Sequence, residues 1–259
     1  MSRFDDGLLR QVLGLQVRLY ACCARLSAGT DSEALHDLRI ALRRLASLLR
    51  PLHHEPLCVA LEQAVTALNR ASGPLRDLEV LAHEVDALGL QGAAALRRAC
   101  LAERYAELLA GTPLQRLLIR LDDWPEDCRQ ARRAGEWQAR GKQVRRYLAR
   151  QGDKLAQALR DPAHDRHRLR LLIKRLRYCA EAWPSYCRLR AEELLALRCA
   201  QAALGDWHDH LQWLLRLDAE PDLRPCAELW RQRLQLAEQQ ADLALLELAE
   251  LFPEASAQS

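Results

Sequence analysis

Leu35-His36-Asp37-Leu38-Arg39-Ile40-Ala41-Leu42-Arg43-Arg44-Leu45-Ala46-Ser47-Leu48-Leu49-Arg50-Pro51-Leu52 reads as a helix with two distinct faces. At about 100° per residue, Leu35, Leu38, Leu42, Leu45, Leu49 and Leu52 fall on one apolar stripe. His36, Arg39, Arg43 and Arg50 make a second stripe within roughly 60° of one another, centred about 120° from the first. The cations therefore stand at the margin of the buried face, not on the solvated back. Arg44 points elsewhere on the wheel but belongs to the same basic run and is retained as a candidate. Pro51 cannot continue the helix and marks its end.

Working outward, the pattern returns. His36-x-Leu38-Arg39-x3-Arg43-Arg44-Leu45 recurs as His167-x-Leu169-Arg170-x3-Lys174-Arg175-Leu176, 131 residues on. In the second copy Leu169, Ile173, Leu176 and Ala180 form the apolar stripe, and His167, Arg170, Lys174 and Arg177 the basic one. Gly73-x3-Asp77 likewise recurs as Gly205-x3-Asp209, at an offset of 132. Two signatures in the same order at nearly the same offset indicate an internal repeat. The expected organisation is a single domain over 1–259, built from a first helical half at 1–122 and a second at 123–259, joined near 122–125. A pseudo-twofold axis would turn the two basic stripes toward one shared cleft. The periodicity predicts helices near 6–26, 31–49, 56–72, 74–88, 91–109, 113–122, 126–160, 165–182, 188–204, 206–218 and 222–249. Thr30 and Glu33 fit a capping box. Pro74 suits the first position of a helix. Gly73 and Gly205 suit turns that need positive φ, and a break is expected at Gly135 or Gly141.

The composition supports an all-α, globular chain. Charged residues are 28% and hydrophobic ones 49%, too apolar for a disordered chain, and β-branched residues are few. Net charge is only +3, so the distribution carries the information. Residues 129–150 hold eight basic side chains against Glu136, and 166–177 hold seven basic or imidazole side chains and no acid. Such segregation creates local positive fields on a nearly neutral molecule. Nine cysteines without a CxxC pair read as reduced thiols used as small hydrophobes. The N-terminus lacks a signal-peptide core, and no apolar stretch is long enough for a bilayer. The expected location is cytoplasmic.

Cations at a core margin repel one another and lose hydration, and no acid shares their stripe on the helical wheel. A bound polyanion would satisfy them: guanidinium forks match phosphate oxygens, and lysine supplies a compact charge. The i, i+3, i+7 spacing makes a ladder of about 10 Å, suited to a linear chain charged at every unit. The candidate ligand residues are His36, Arg39, Arg43, Arg44, Arg50 and Arg76 in the first half. In the second they are His167, Arg170, Lys174, Arg177 and His208. Arg140, Lys142 and Arg145 join them from the basic run between. Asp77 and Asp209 are read as holding basic side chains in place. No catalytic residue, metal ligand or cofactor is expected. The rival enzyme reading is an HD-type metal-dependent phosphohydrolase, prompted by His36-Asp37 and His208-Asp209, although further ligands follow no pattern. Nucleic-acid binding is disfavoured because no helix-turn-helix or aromatic stacking platform is evident. A helical scaffold at a storage granule is a third alternative.

These motifs resemble the CHAD family, the conserved-histidine α-helical domain. The resemblance rests on the two His-x-x-Arg-x3-(Arg/Lys)-Arg-Leu helices, the Lys174-Arg175-Leu176-Arg177-Tyr178 run and the two Gly-x3-Asp segments, and it spans nearly the whole chain. It implies two pseudo-twofold-related helical bundles around a basic cleft or pore, polyphosphate binding, and association with polyphosphate granules and their proteins. The chain has no ExExK motif and no room for the triphosphate-tunnel domain attached in some members, so it resembles a stand-alone binding module. Ala46 departs from the pattern, standing where Arg177 stands in the second copy, and this implies a weaker first ladder.

Overall fold

The computed structural model describes residues 3–29, 31–163 and 165–253. Among them there are nine α-helices and no strand. They are α1 (Arg3–Ala28), α2 (Ala34–Leu49), α3 (Pro56–Ala87), α4 (Gln91–Ala110), α5 (Thr112–Arg133), α6 (Gly141–Leu159), α7 (Arg166–Ala182), α8 (Ala191–Arg216) and α9 (Ala227–Leu251). Short 3-10 turns follow α2 at Arg50–Leu52 and α7 at Pro184–Tyr186, and a third, Pro221–Cys226, leads into α9. The chain forms two compact units, Met1–Val144 and Arg145–Ser259.

In the first unit, α2 lies between α1 and α3, and α3 also packs against α4 and α5. The stripe predicted on α2 is the centre of this core: Leu35, Leu38, Leu42, Leu45, Leu49 and Leu52 are all at most 1% exposed. Burying a leucine side chain contributes about 1.5–3 kcal/mol, so this face fixes the rotation of α2 and therefore the direction of its basic stripe. In the second unit, α8 packs against both α7 and α9. Leu169, Ile173, Leu176 and Ala180 are buried as predicted.

Several boundaries differ from the sequence reading. Gly73 and Pro74 lie inside the continuous helix α3, and Gly205 lies inside α8. None of the three is a turn, and neither glycine has positive φ; among described residues that conformation occurs at Gly29, Gly89 and Gly135. The reason is packing. Leu61, Val65, Leu68, Ser72, Leu75, Leu78, Leu81 and Val85 are buried at helical spacing straight through the Gly-Pro pair. Leu197, Ala200, Leu204 and Trp207 do the same across Gly205. Burial of such a stripe outweighs about 1 kcal/mol for a helical glycine and about 3 kcal/mol for an internal proline.

Gly205 has open space where a Cβ would stand. Gly205→Ala should therefore stabilise the protein by about 0.5–1 kcal/mol. Urea unfolding followed by circular dichroism measures this, and a loss of stability would mean that residue 205 is not helical.

The expected junction near 122–125 falls inside α5, with Trp124 buried and Pro125 within the helix. The break comes at Gly135, where φ is +72°. The segment after it is tied back into the first unit: Trp137 Nε1 donates to Asp5 Oδ1 at 3.0 Å, and the Gln138 amide donates to Glu55 Oε2 at 3.2 Å. Both acids are buried. Glu33 occupies the N-cap position of α2 with no side-chain cap bond, so it is not the third residue of a capping box. Thr30 lies outside the described residues.

Candidate functional site

The first basic cluster is built on α2 and α3. Arg39 is half-buried and crosses from α2 to α3, where Nη1 donates to the Asn69 carbonyl at 3.0 Å and to Ser72 Oγ at 2.9 Å. Ser72 is fully buried, and the guanidinium passes close to Gly73, where a Cβ would lie in ordinary contact, 3.8 Å from Arg39 Nη1. Burial pulls the Arg39 pKa below its usual value, Asp77 opposes this, and Arg43 and Arg76 push it down further. These groups thus form one electrostatic neighbourhood. Among described residues no carboxylate forms an ion pair with Arg39. Asp37, the one acid of the basic run, turns away to accept from Arg25 Nη1 at 2.7 Å. The same Arg25 grips Asp31 through Nε at 2.7 Å, tying the end of α1 to the start of α2.

The second cluster is built on α7 and α8. Asp165 caps α7, accepting from the His167 amide at 2.8 Å, and so fixes His167 in the first turn. The His167 and His208 rings lie 5.8 Å apart between centroids. Arg170 and Lys174 follow on α7, one and two turns along. Arg170 Nε is buried and has no hydrogen-bond partner among the described residues. Such a donor costs about 1–3 kcal/mol if left unsatisfied. Burial, with Arg170, His167 and Lys174 nearby, pushes the His208 pKa down to about 4.

The other expected residues divide clearly. Arg50 pairs with Glu62 at 3.0 Å, Arg76 with Glu79 at 2.9 Å, and Arg177 with Glu181 at 3.0 Å. Acids therefore reach Arg50 from α3, and Arg76 and Arg177 from one turn further along their own helices. These three cations are engaged by carboxylates, whereas among described residues Arg39 and Arg170 form no carboxylate ion pair. Arg177 also lies over the Tyr178 ring at 4.8 Å. Its counterpart Ala46 is buried in the core. That departure costs the first cluster a cation which, in the second, is already engaged by a carboxylate. His36 and Arg43 are half-buried on the same face of α2, and Arg44 is exposed. Arg140, Lys142 and Arg145 are exposed, just before α6 and on its first turn. Arg140 Nη1 donates to the neighbouring Ala139 carbonyl at 2.7 Å, and Arg145 lies 5.9 Å from the Tyr186 ring centre.

Sequence reasoning missed the side chains that hold the cations. Ser72 and Asn69 had no motif to announce them. Asp165 carried a signal, as an N-cap residue directly before a helical run. Among described residues, no group of three or more His, Cys, Asp or Glu side chains gathers as a metal site. No helix among them is long and apolar enough to cross a membrane.

A family model described as CHAD domain matches residues 12–218. The matched span contains both basic helices and both Gly-x3-Asp segments and stops before α9. The chain is also similar to the crystal structure of the CHAD domain from the plant Ricinus communis. The identity is 21%, 95% of this chain and 90% of that chain are covered, and the TM-score is 0.68. At that identity the likeness concerns the fold. No curated protein matches the chain.

Proposed function

The chain belongs to the CHAD domain family, and we propose that it binds inorganic polyphosphate through the basic clusters of its two units. The observation that carries this reading is the state of Arg39 and Arg170. Each is half-buried beside further cations and, among described residues, neither has a carboxylate ion pair. A core-margin guanidinium without a carboxylate ion pair keeps charge-assisted donors that an added anion can take up. Phosphate oxygens suit the forked donors, and a chain with a charge on every unit suits cations at one-turn intervals. Calorimetric titration with long-chain polyphosphate tests the proposal. Affinity should fall linearly on a log–log plot against salt as counterions are released. Absence of binding at low salt would overturn it.

The same reading makes the protein a binder and not a hydrolase. Asp37 is committed to Arg25, so the His36-Asp37 pair does not present a free carboxylate for metal-assisted hydrolysis. Incubation with polyphosphate and Mg²⁺ or Mn²⁺ should release no phosphate above the protein-free rate. Steady release from phosphatase-free protein, lost in a His36→Ala variant, would overturn this.

A further inference from the structure

The His167–His208 pair offers more than two extra ligand contacts. His208 is half-buried on α8, with its ring 6.2 Å from the buried Trp207 ring and 5.8 Å from His167. From α7, the charged or titratable groups acting on it are Arg170, His167 and Lys174, and all three oppose a positive charge there. From α9, the carboxylates Asp242 and Glu238 are taken by Arg166: Asp242 accepts from Arg166 Nη2 at 2.8 Å, and Glu238 lies 3.8 Å from Nη1. Arg166 itself stands 5.9 Å from the Trp207 ring centre. On its own helix the adjacent acid is Asp209. His208 is thus a half-buried imidazole with Arg170, Lys174 and a second imidazole beside it.

Resting on the polyphosphate reading above, we infer that His208 is a specificity-determining residue that takes up a proton when a densely charged polyanion seats against His167, Arg170 and Lys174. The proton comes from solvent onto the free ring nitrogen, and no bond in the ligand changes. In the free protein the imidazole is neutral at physiological pH. Phosphate oxygens brought beside it reverse the sign of the local field and make the imidazolium the stable form. A ligand with closely spaced charges brings a concentrated negative potential against the two neighbouring cations, Arg170 and Lys174. A duplex whose phosphates are spread along two strands supplies less at any one point.

The sign of the linkage is fixed by this arrangement. The free-state pKa, about 4, lies below the ordinary imidazole value, and the bound-state pKa lies above the free one. Between the two, the complex holds one more proton than the separate partners. Affinity therefore rises as pH falls through that window, by up to about tenfold per pH unit for one proton. Polyphosphate backbone units stay ionised throughout it.

Three readouts test the inference on the full chain. Calorimetric titration with long-chain polyphosphate, in buffers of different ionisation enthalpy, should reveal net proton uptake from about pH 7.5 down to about pH 5. His208→Gln should reduce that uptake, flatten the pH dependence and narrow the preference for polyphosphate over duplex DNA. NMR titration of the His208 ring in the wild-type protein, free and saturated, should display a higher pKa in the complex, and this holds whether or not the variant folds. Polyphosphate binding in which the His208 pKa stays unchanged, or in which His208→Gln retains the wild-type pH slope, overturns the inference and leaves the binding proposal standing. No binding at any pH overturns both.

Discussion

Replacing Arg170 and Lys174 together by glutamate should weaken polyphosphate binding by about 100-fold or more. Hydrogen bonds to charged groups are worth about 1.5–3 kcal/mol each, and reversal adds repulsion to the loss of two contacts. Arg170 is the cation whose Nε is buried without a partner, so the second cluster loses the donor most in need of an anion. The fold should survive, because Leu169, Ile173, Leu176 and Ala180 carry the packing of α7 and are untouched. Asp165 still caps the helix. Circular dichroism with urea unfolding checks this, and calorimetric titration reads the affinity. A folded variant that binds within about twofold of wild type would remove the second cluster from the site.

Neutralising the first cluster, by Arg39→Gln with Arg43→Gln, should reduce affinity by about 10- to 100-fold. Neutral substitutions are the sharper choice here. Asp77 and Glu79 already act on Arg39, and a glutamate at 39 would set like charges beside them in a half-buried place. Glutamine can keep part of the contact to Ser72 and the Asn69 carbonyl that Arg39 now makes. The salt dependence should also become shallower, because fewer counterions are released. An unchanged salt slope with unchanged affinity would mean that α2 does not meet the ligand.

The two basic helices were legible in the sequence because a leucine stripe is read directly from spacing. Once Leu35 to Leu52 and Leu169 to Ala180 are buried, the direction of Arg39, Arg43, Arg170 and Lys174 follows. Punctuation was less legible. Gly73-Pro74 and Gly205 carry strong local turn signals, yet each lies in a buried stripe that continues on both sides, and tertiary packing decides such cases. The same stripe, read through the breakers instead of up to them, would have given the long helices α3 and α8. How far the chain stays with the first compact unit was hidden for a different reason. Trp137 and Gln138 are held by Asp5 and Glu55, more than 80 residues away in sequence, and no local pattern announces such contacts. Pairing was also hidden. A helical wheel places Arg50 beside the other cations but cannot see Glu62 on the neighbouring helix.

A competition measurement tests the central claim most directly. Labelled long-chain polyphosphate bound to the wild-type protein is challenged, near physiological ionic strength, with unlabelled polyphosphate and with duplex DNA at equal phosphate concentration, with anisotropy as the readout. Displacement by polyphosphate at concentrations at least about tenfold lower than those needed for DNA is the predicted result, since non-specific cation–phosphate attraction alone weakens steeply at that salt. Equal displacement by both would contradict the account and reduce the two clusters to general anion-attracting surfaces.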